Sequence, residues 1–118
     1  MFSKEHRLAK TKDISLVYTR GRSFFSPFFV VKFMRQSKGV NRFTVVVSTK
    51  VSKKAVVRNK LKRVVREFLR LRASILEHGD YIVTVRGKAV GKPNTVLREE
   101  LNQLLVKSRL LAASSLNP

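Results

Sequence analysis

Apolar and polar positions change their period along this chain, and each change predicts an element. Residues 11–20, TKDISLVYTR, set Ile14, Val17 and Tyr18 on one side of a short amphipathic helix. Thr11 or Lys12 opens it and Gly21 stops it. Residues 24–34, FFSPFFVVKFM, are β-rich: Phe29, Val31 and Phe33 point one way, and Phe28, Val30, Lys32 and Met34 the other. Pro27 belongs at the start of that strand or on a sheet edge. Residues 36–41, QSKGVN, predict a turn, and residues 42–48, RFTVVVS, a returning strand, so the two form a hairpin. From about Lys54 to Leu76 the period returns to 3.6. Val57, Leu61, Val64, Val65, Phe68, Leu71 and Ile75 then share one arc, and Gly79 suits a left-handed C-cap. Residues 80–86, DYIVTVR, predict a third strand, and residues 87–94 a loop. Residues 95–111 predict a last helix with Leu97, Leu101, Leu104, Leu105 and Leu111 inward, before a tail from Ala112 that frays. The order α-β-β-α-β-α predicts an α+β fold, a small mainly antiparallel sheet packed by helices. One domain spans residues 1–118, ordered from about residue 7 to 111.

The long middle helix carries a second pattern. Residues 50–72, KVSKKAVVRNKLKRVVREFLRLR, hold ten lysines and arginines. At about 100° per residue, Arg58, Asn59, Lys62, Arg63, Arg66 and Arg70 occupy an arc roughly 140° wide beside the apolar one. Arg58, Lys62, Arg66 and Arg70 form an i, i+4 row of like charges, which repel, and only Glu67 stands near to relieve them. Solubility alone is met by mixed signs. Such a row therefore predicts an external polyanion.

Composition widens that inference to the whole chain. Against 26 Lys and Arg stand 7 Asp and Glu, a net charge of 26 − 7 = +19 over 118 residues. An excess of this size belongs with nucleic acid or an anionic membrane. Apolar runs of about five residues fall far short of the roughly 20 that span a bilayer. The opening MFSKEHRLAKTKD lacks an apolar core of signal-peptide length. With no cysteine there is neither a disulfide framework nor a thiolate metal site, which fits a reducing cytoplasm. RNA or DNA is the expected partner.

Side-chain chemistry agrees. Arg58 and Arg63 can fork onto phosphate oxygens, and Arg66 extends the row. Asn59 both donates and accepts, so it can meet a 2′-OH, a base edge or the preceding loop. Lys53 and Lys54 stand before the helix, where backbone amides also attract phosphate. Independent catalysis finds no support. His6 and His78 lie apart from any ligand spacing, Glu99 and Glu100 splay about 100° apart on a helix, and Gly87 and Gly91 flank a plain turn. Asp13 reads as a helix-end or ion-pair residue. No metal bound by the protein is expected. The classes left are a nucleic-acid-binding subunit and a structural RNA-binding protein of the ribosomal type.

One family matches these residues in order. Val57-Arg58-Asn59-Lys60-Leu61-Lys62-Arg63, followed by Arg66-Glu67, resembles the signature of the bacterial ribonuclease P protein subunit. Arg7-Leu8, Asp13-Ile14, Val17-Tyr18 and Gly21-Arg22 resemble its opening helix. Phe29-Val30-Val31, Arg42, Val47-Ser48-Thr49-Lys50 and Asp80-Tyr81-Ile82-Val83 also fall in register. Departures are Lys60 for an arginine, Thr44 for a glycine, Thr49 for a lysine, Ile14 for an aromatic and Lys32 for a tyrosine. The resemblance implies a sandwich with a left-handed β-α-β crossover through the signature helix. It also implies partnership with a catalytic RNA that uses Mg²⁺ to remove the 5′ leader of precursor tRNA, with no obligatory protein partner. On that reading Lys53, Lys54, Arg58, Asn59, Lys60, Lys62, Arg63, Arg66 and Arg70 face the catalytic RNA. Arg7, Ile14, Tyr18, Arg22, Phe28, Val30, Lys32 and Lys50 line or rim a groove for the single-stranded leader. Such a groove must tolerate any sequence, which cationic tracking and stacking supply.

Overall fold

The computed structural model describes residues 4–36 and 39–112. Of the predicted turn, Ser37 and Lys38 lie outside the described residues, as does the tail beyond Ala112. The elements run α1 (Thr11–Arg20), β1 (Arg22–Phe25), β2 (Phe29–Arg35), β3 (Arg42–Val46), α2 (Ala55–Arg72), β4 (Gly79–Val85) and α3 (Asn94–Lys107). Short 3-10 turns at Lys4–His6 and Gly87–Ala89 complete the set.

The strands form one sheet in the order β1-β2-β4-β3. β1 with β2 and β2 with β4 are antiparallel, while β3 lies parallel to β4 and is joined to it through α2. The mainly antiparallel α+β architecture is therefore present, with a β-α-β crossover at its end. The predicted hairpin between β2 and β3 is not: β4 inserts between them. Asn41 shows how. Its carboxamide oxygen accepts from the Gly79 N–H at 2.8 Å, and its nitrogen donates to the carbonyls of Ala73 at 2.7 Å and Leu76 at 3.2 Å. One buried side chain thus fixes the start of β4 and the exit of α2 beside the chain entering β3. The alternation that predicted two strands holds no record of which strand lies between them.

Gly79 is consequently the first residue of β4, not a helix cap. A Cβ there would stand 2.4 Å from the Met34 carbonyl oxygen and 2.5 Å from the Phe33 ring, so close approach of β2 demands glycine. Gly21 likewise serves close approach, to the Val17 carbonyl oxygen at 2.3 Å from a built Cβ. The aromatic run at residues 24–34 is two strands, broken where Ser26 caps the bend. Its hydroxyl accepts from the Phe29 N–H at 3.1 Å.

Layers follow from the pleat. Phe29, Val31 and Phe33 of β2, with Phe43, Val45, Tyr81, Val83 and Val85, face α2 and α3. Rings of Phe33, Tyr81 and Phe43, neighbours across three strands, sit with centroids 4.9 and 5.1 Å apart. On the opposite face Ile82 packs with Leu8 and Val17, and with Ile14, Met34 and Val46 around α1. Central β4 is buried on both sides. Within α2 the buried set is Leu61, Val64, Val65, Phe68 and Leu69. Leu71 and Ile75, predicted inward, are exposed. Leu69 and Leu71 flank the apolar arc on opposite sides, so periodicity alone cannot choose between them, and Ile75 lies past the helix end.

Candidate RNA interface

α2 begins at Ala55 after Lys54, whose backbone is extended and which carries no side-chain cap. Its first amides therefore face outward with the helix dipole behind them, beside exposed Lys53 and Lys54. Before them the loop folds on itself. The Ser52 hydroxyl accepts from the Lys54 N–H at 3.2 Å, and the Arg58 guanidinium donates to the Ser52 carbonyl at 2.8 Å. Arg58 thus braces the loop while remaining half-exposed. Lys62 and Arg66 are also half-exposed, and Asn59, Arg63 and Arg70 are exposed, so the row of cations lies on the surface. Glu67 takes up Arg70, 2.6 Å away, and the bond holds the Glu67 carboxyl below its ordinary range. Arg66 leans toward a concavity at the β3 edge shared with Arg7, Leu8 and Thr44. Lys60 departs from the set. It borders a separate apolar groove with Val56, Val90, Lys92 and Pro93, because position 60 falls on the opposite flank of the buried arc.

The second site lies on the face covered by α1. Pairing across the four strands lines up Phe25, Val30, Thr84 and Val46 in one row, all on this face. Three steps of about 4.8 Å make that row roughly 14 Å long. α1 covers it only in part: Phe25 is 66% exposed, and Val30, Thr84 and Val46, the last packed against the small cluster, are half-buried. Lys32, in the next row, donates to the Tyr18 carbonyl at 3.4 Å and sits 5.5 Å from the Tyr18 ring centroid. An exposed aromatic and a tethered ammonium thus flank an apolar floor. Ile14 lies half-buried on α1, packed against the small cluster around Val17.

Beside the apolar packing of Val17 and Ile14, an ion network ties α1 to the sheet. Arg42 donates from Nε and Nη2 to the two Asp80 oxygens at 2.8 and 2.7 Å, and from Nη1 to Asp13 of α1 at 3.1 Å. Gln36 adds a bond to Asp80 at 2.9 Å. Hydrogen bonding to Asp80, opposed by burial, keeps the Arg42 guanidinium above its ordinary value. Asp13 is the ion-pair residue that its sequence position suggested.

Three groove assignments land elsewhere. Arg22 is paired with Phe33, so it points to the α3 side, where its guanidinium lies 5.3 Å from the Phe24 ring centroid. Phe28 precedes β2 and packs toward the main core, edge-on to Phe29 with Lys92 over its ring. Arg7 forms a backbone bridge with Phe43 at the β3 edge and lines the concavity there with Arg66. Lys50 is exposed in the turn after β3. The reading from sequence missed Phe25. Once Ser26-Pro27 is read as a break, alternation in Phe24-Phe25 sends one ring to each face. Among the described residues no group of three or more His, Asp or Glu is placed to hold a metal.

The model of the ribonuclease P family matches residues 2–109. The ribonuclease P protein component of Caldanaerobacter subterraneus subsp. tengcongensis is 36% identical over 111 residues, covering 93% of this chain and 95% of that one. That of a Pseudanabaena strain is 34% identical over 113 residues, covering 94% and 97%. Among solved structures, the Staphylococcus aureus RNase P protein superposes with a TM-score of 0.84 at 28% identity, covering 92% of this chain and 99% of that one. The Thermotoga maritima protein gives 0.76 at 34% identity, covering 86% and 96%. Signature, sheet and sequence agree over nearly the full length, so the chain belongs to the ribonuclease P protein family, the RNA-binding subunits of ribonuclease P.

Proposed function

We propose that this subunit presents α2 and its preceding loop to the catalytic RNA, while the open row beside α1 holds the single-stranded 5′ leader of precursor tRNA. The observation that carries the second half is the row itself. Four positions from four strands form a partly open, mainly apolar floor of Phe25, Val30, Thr84 and Val46, with Phe25 exposed at one end and Lys32 tethered beside it. Apolar and aromatic contact with cationic tracking grips a strand without reading its bases. α2 supports the first half through an uncapped amino terminus and a surface row of Arg58, Lys62, Arg63 and Arg66. Shielding RNA phosphates and tethering the leader both favour cleavage, and the tether favours precursor over mature tRNA.

Hydrolysis falls to the RNA, where bound Mg²⁺ supplies the Lewis acid. Four of this chain's seven acids are already paired, and the described residues bring no three His, Asp or Glu together for that ion. Asp13 and Asp80 are committed to Arg42, Glu67 to Arg70 and Glu77 to Arg35. Such a subunit works in the cytoplasm, where precursor tRNA is made. The test reconstitutes the chain with ribonuclease P RNA and follows precursor cleavage at low Mg²⁺, where the protein is expected to stimulate. Lys32→Gln should weaken binding of precursor but not of mature tRNA. Arg58→Ala with Arg63→Ala should weaken assembly and flatten its salt dependence by about 0.7–0.9 log units per lost phosphate contact. Equal weakening of precursor and mature tRNA by Lys32→Gln refutes the groove, and an unchanged salt slope refutes the α2 contact.

A further inference from the structure

The cation that the leader groove lost, Arg22, has company on the other face of the sheet. β1 is the outermost strand, so beyond it the sheet has an open edge. Around that edge Arg22, Lys107 and Arg109 line one concavity together with Phe25 and Leu104. Its lining includes no acid, and no ion pair to a described residue reaches the three cations. Each is exposed.

Arg109 occupies an unusual backbone position. Its φ is +61°, directly after the end of α3, where a helix closing in the left-handed conformation ordinarily uses glycine. The closing bonds are in place: the N–H groups of Leu110 and Leu111 donate to the Leu105 carbonyl at 2.9 and 3.1 Å. Glycine would serve this turn at less cost. What arginine adds there is a guanidinium, aimed at the same concavity as Arg22 and Lys107.

We propose that this concavity binds phosphates of the leader upstream of the segment held in the groove, so that the strand passes over Phe25 and around the β1 edge from one sheet face to the other. The inference rests on the groove reading above. Direction follows from connectivity. At its Val46 end the row runs into the loop that leads to α2 and the catalytic RNA, which places the scissile end of the leader there. Its other end is Phe25, whose exposed ring borders both the row and the concavity. A strand leaving the row at Phe25 therefore meets Arg22, Lys107 and Arg109 next. Two arginines and a lysine without neighbouring acids suit phosphodiester oxygens and carry no base preference.

The experiment measures binding of precursor tRNA by the reconstituted holoenzyme. One substrate has a leader just long enough to fill the row, and others are extended stepwise at the 5′ end. The variant is Arg22→Gln with Lys107→Gln and Arg109→Gly, the last retaining the left-handed turn. Thermal melting and assembly with the catalytic RNA report on folding. For the unaltered protein, affinity should rise with extension. The triple variant should bind the short substrate normally and lose the gain from extension, roughly tenfold on the scale of three exposed charge contacts. Its salt dependence on long leaders should flatten by about two log units, at about 0.7 per phosphate on a single strand. Equal loss on short and long leaders, or weakened assembly, would show that the catalytic RNA occupies this edge and overturn the proposal. So would an unchanged gain from extension. The short substrate also carries a Lys32→Gln control: normal binding there refutes the groove itself, whereas a loss there without any length effect removes only the extension.

Discussion

Replacing Arg42 with methionine separates a joint between α1 and the sheet from the surfaces proposed to meet RNA. The Asp80 side chain is 1% exposed and accepts three hydrogen bonds, two of them from Arg42. Arg42→Met leaves that carboxylate with Gln36 alone. Removing one partner of a buried pair costs about 3–5 kcal/mol, because the remaining charge has lost both water and its counter-ion. That is a large part of the roughly 5–15 kcal/mol that holds a domain together. At about 4 °C per kcal/mol for a chain of this size, the melting temperature should fall by roughly 12–20 °C. α1 also loses its link through Asp13, so precursor affinity should fall further than assembly with the catalytic RNA. Adding Asp80→Asn removes the stranded charge, and the double variant should be more stable than Arg42→Met alone. Urea denaturation of both variants checks the order. A cost below about 1 kcal/mol for Arg42→Met, or a double variant no better than the single, refutes the reasoning.

Two further outcomes follow from packing. Burial pushes the Glu100 carboxyl above its ordinary value against a bond from the Phe28 N–H and the charge of Lys92, and its Oε2 has no partner. A carboxyl raised on folding favours the fold below its unfolded value, near pH 4.3, and that contribution is lost as pH rises through the folded value. Glu100→Gln should therefore raise the melting temperature at pH 7 and lose that advantage toward pH 4; a larger gain at pH 4 would contradict the assignment. Gly79→Ala forces a methyl against the Met34 carbonyl and the Phe33 ring and should cost about 2–3 kcal/mol. Gly91→Ala, in open space at φ +81°, should cost only about 1 kcal/mol, and equal costs in urea titrations would refute the close-approach argument.

Local pattern carried the elements and little of their assembly. Alternation placed Phe29, Val31 and Phe33 inward correctly because a pleat has only two faces. It did not reveal β1, since Phe24-Phe25 and Phe28-Phe29 read as one run until Ser26 is seen to cap a bend. Strand order was closed to it as well. The insertion of β4 between β2 and β3 depends on Asn41 bonding to Ala73, Leu76 and Gly79, more than thirty residues away. Arg22 shows the same limit at the site. Its charge and place after Gly21 were legible, but its face depends on register with Phe33, a partner chosen by the fold. The cations of α2 were legible because a helix face is set by spacing alone, and Lys60 strayed only where a motif outweighed the angle.

Where the acids stand says what the excess charge is for. All seven belong to described residues, and four are spent on three arginines. Asp13, Asp80 and Glu77 join elements: α1 to the sheet, and the start of β4 to β2. Had the basic residues served solubility alone, acids interspersed among them would have relieved their repulsion at no loss. Instead none stands in the row from Phe25 to Val46 or in the adjoining row of Ser23, Lys32, Ile82 and Thr44, and none lines the concavity of Arg22, Lys107 and Arg109. Along α2, Glu67 pairs with Arg70, toward the far end from the uncapped amino terminus. Three of the seven acids serve joints of the fold, and the row of cations on α2 and the concavity at the β1 edge are left largely uncompensated, as surfaces that a polyanion would cover.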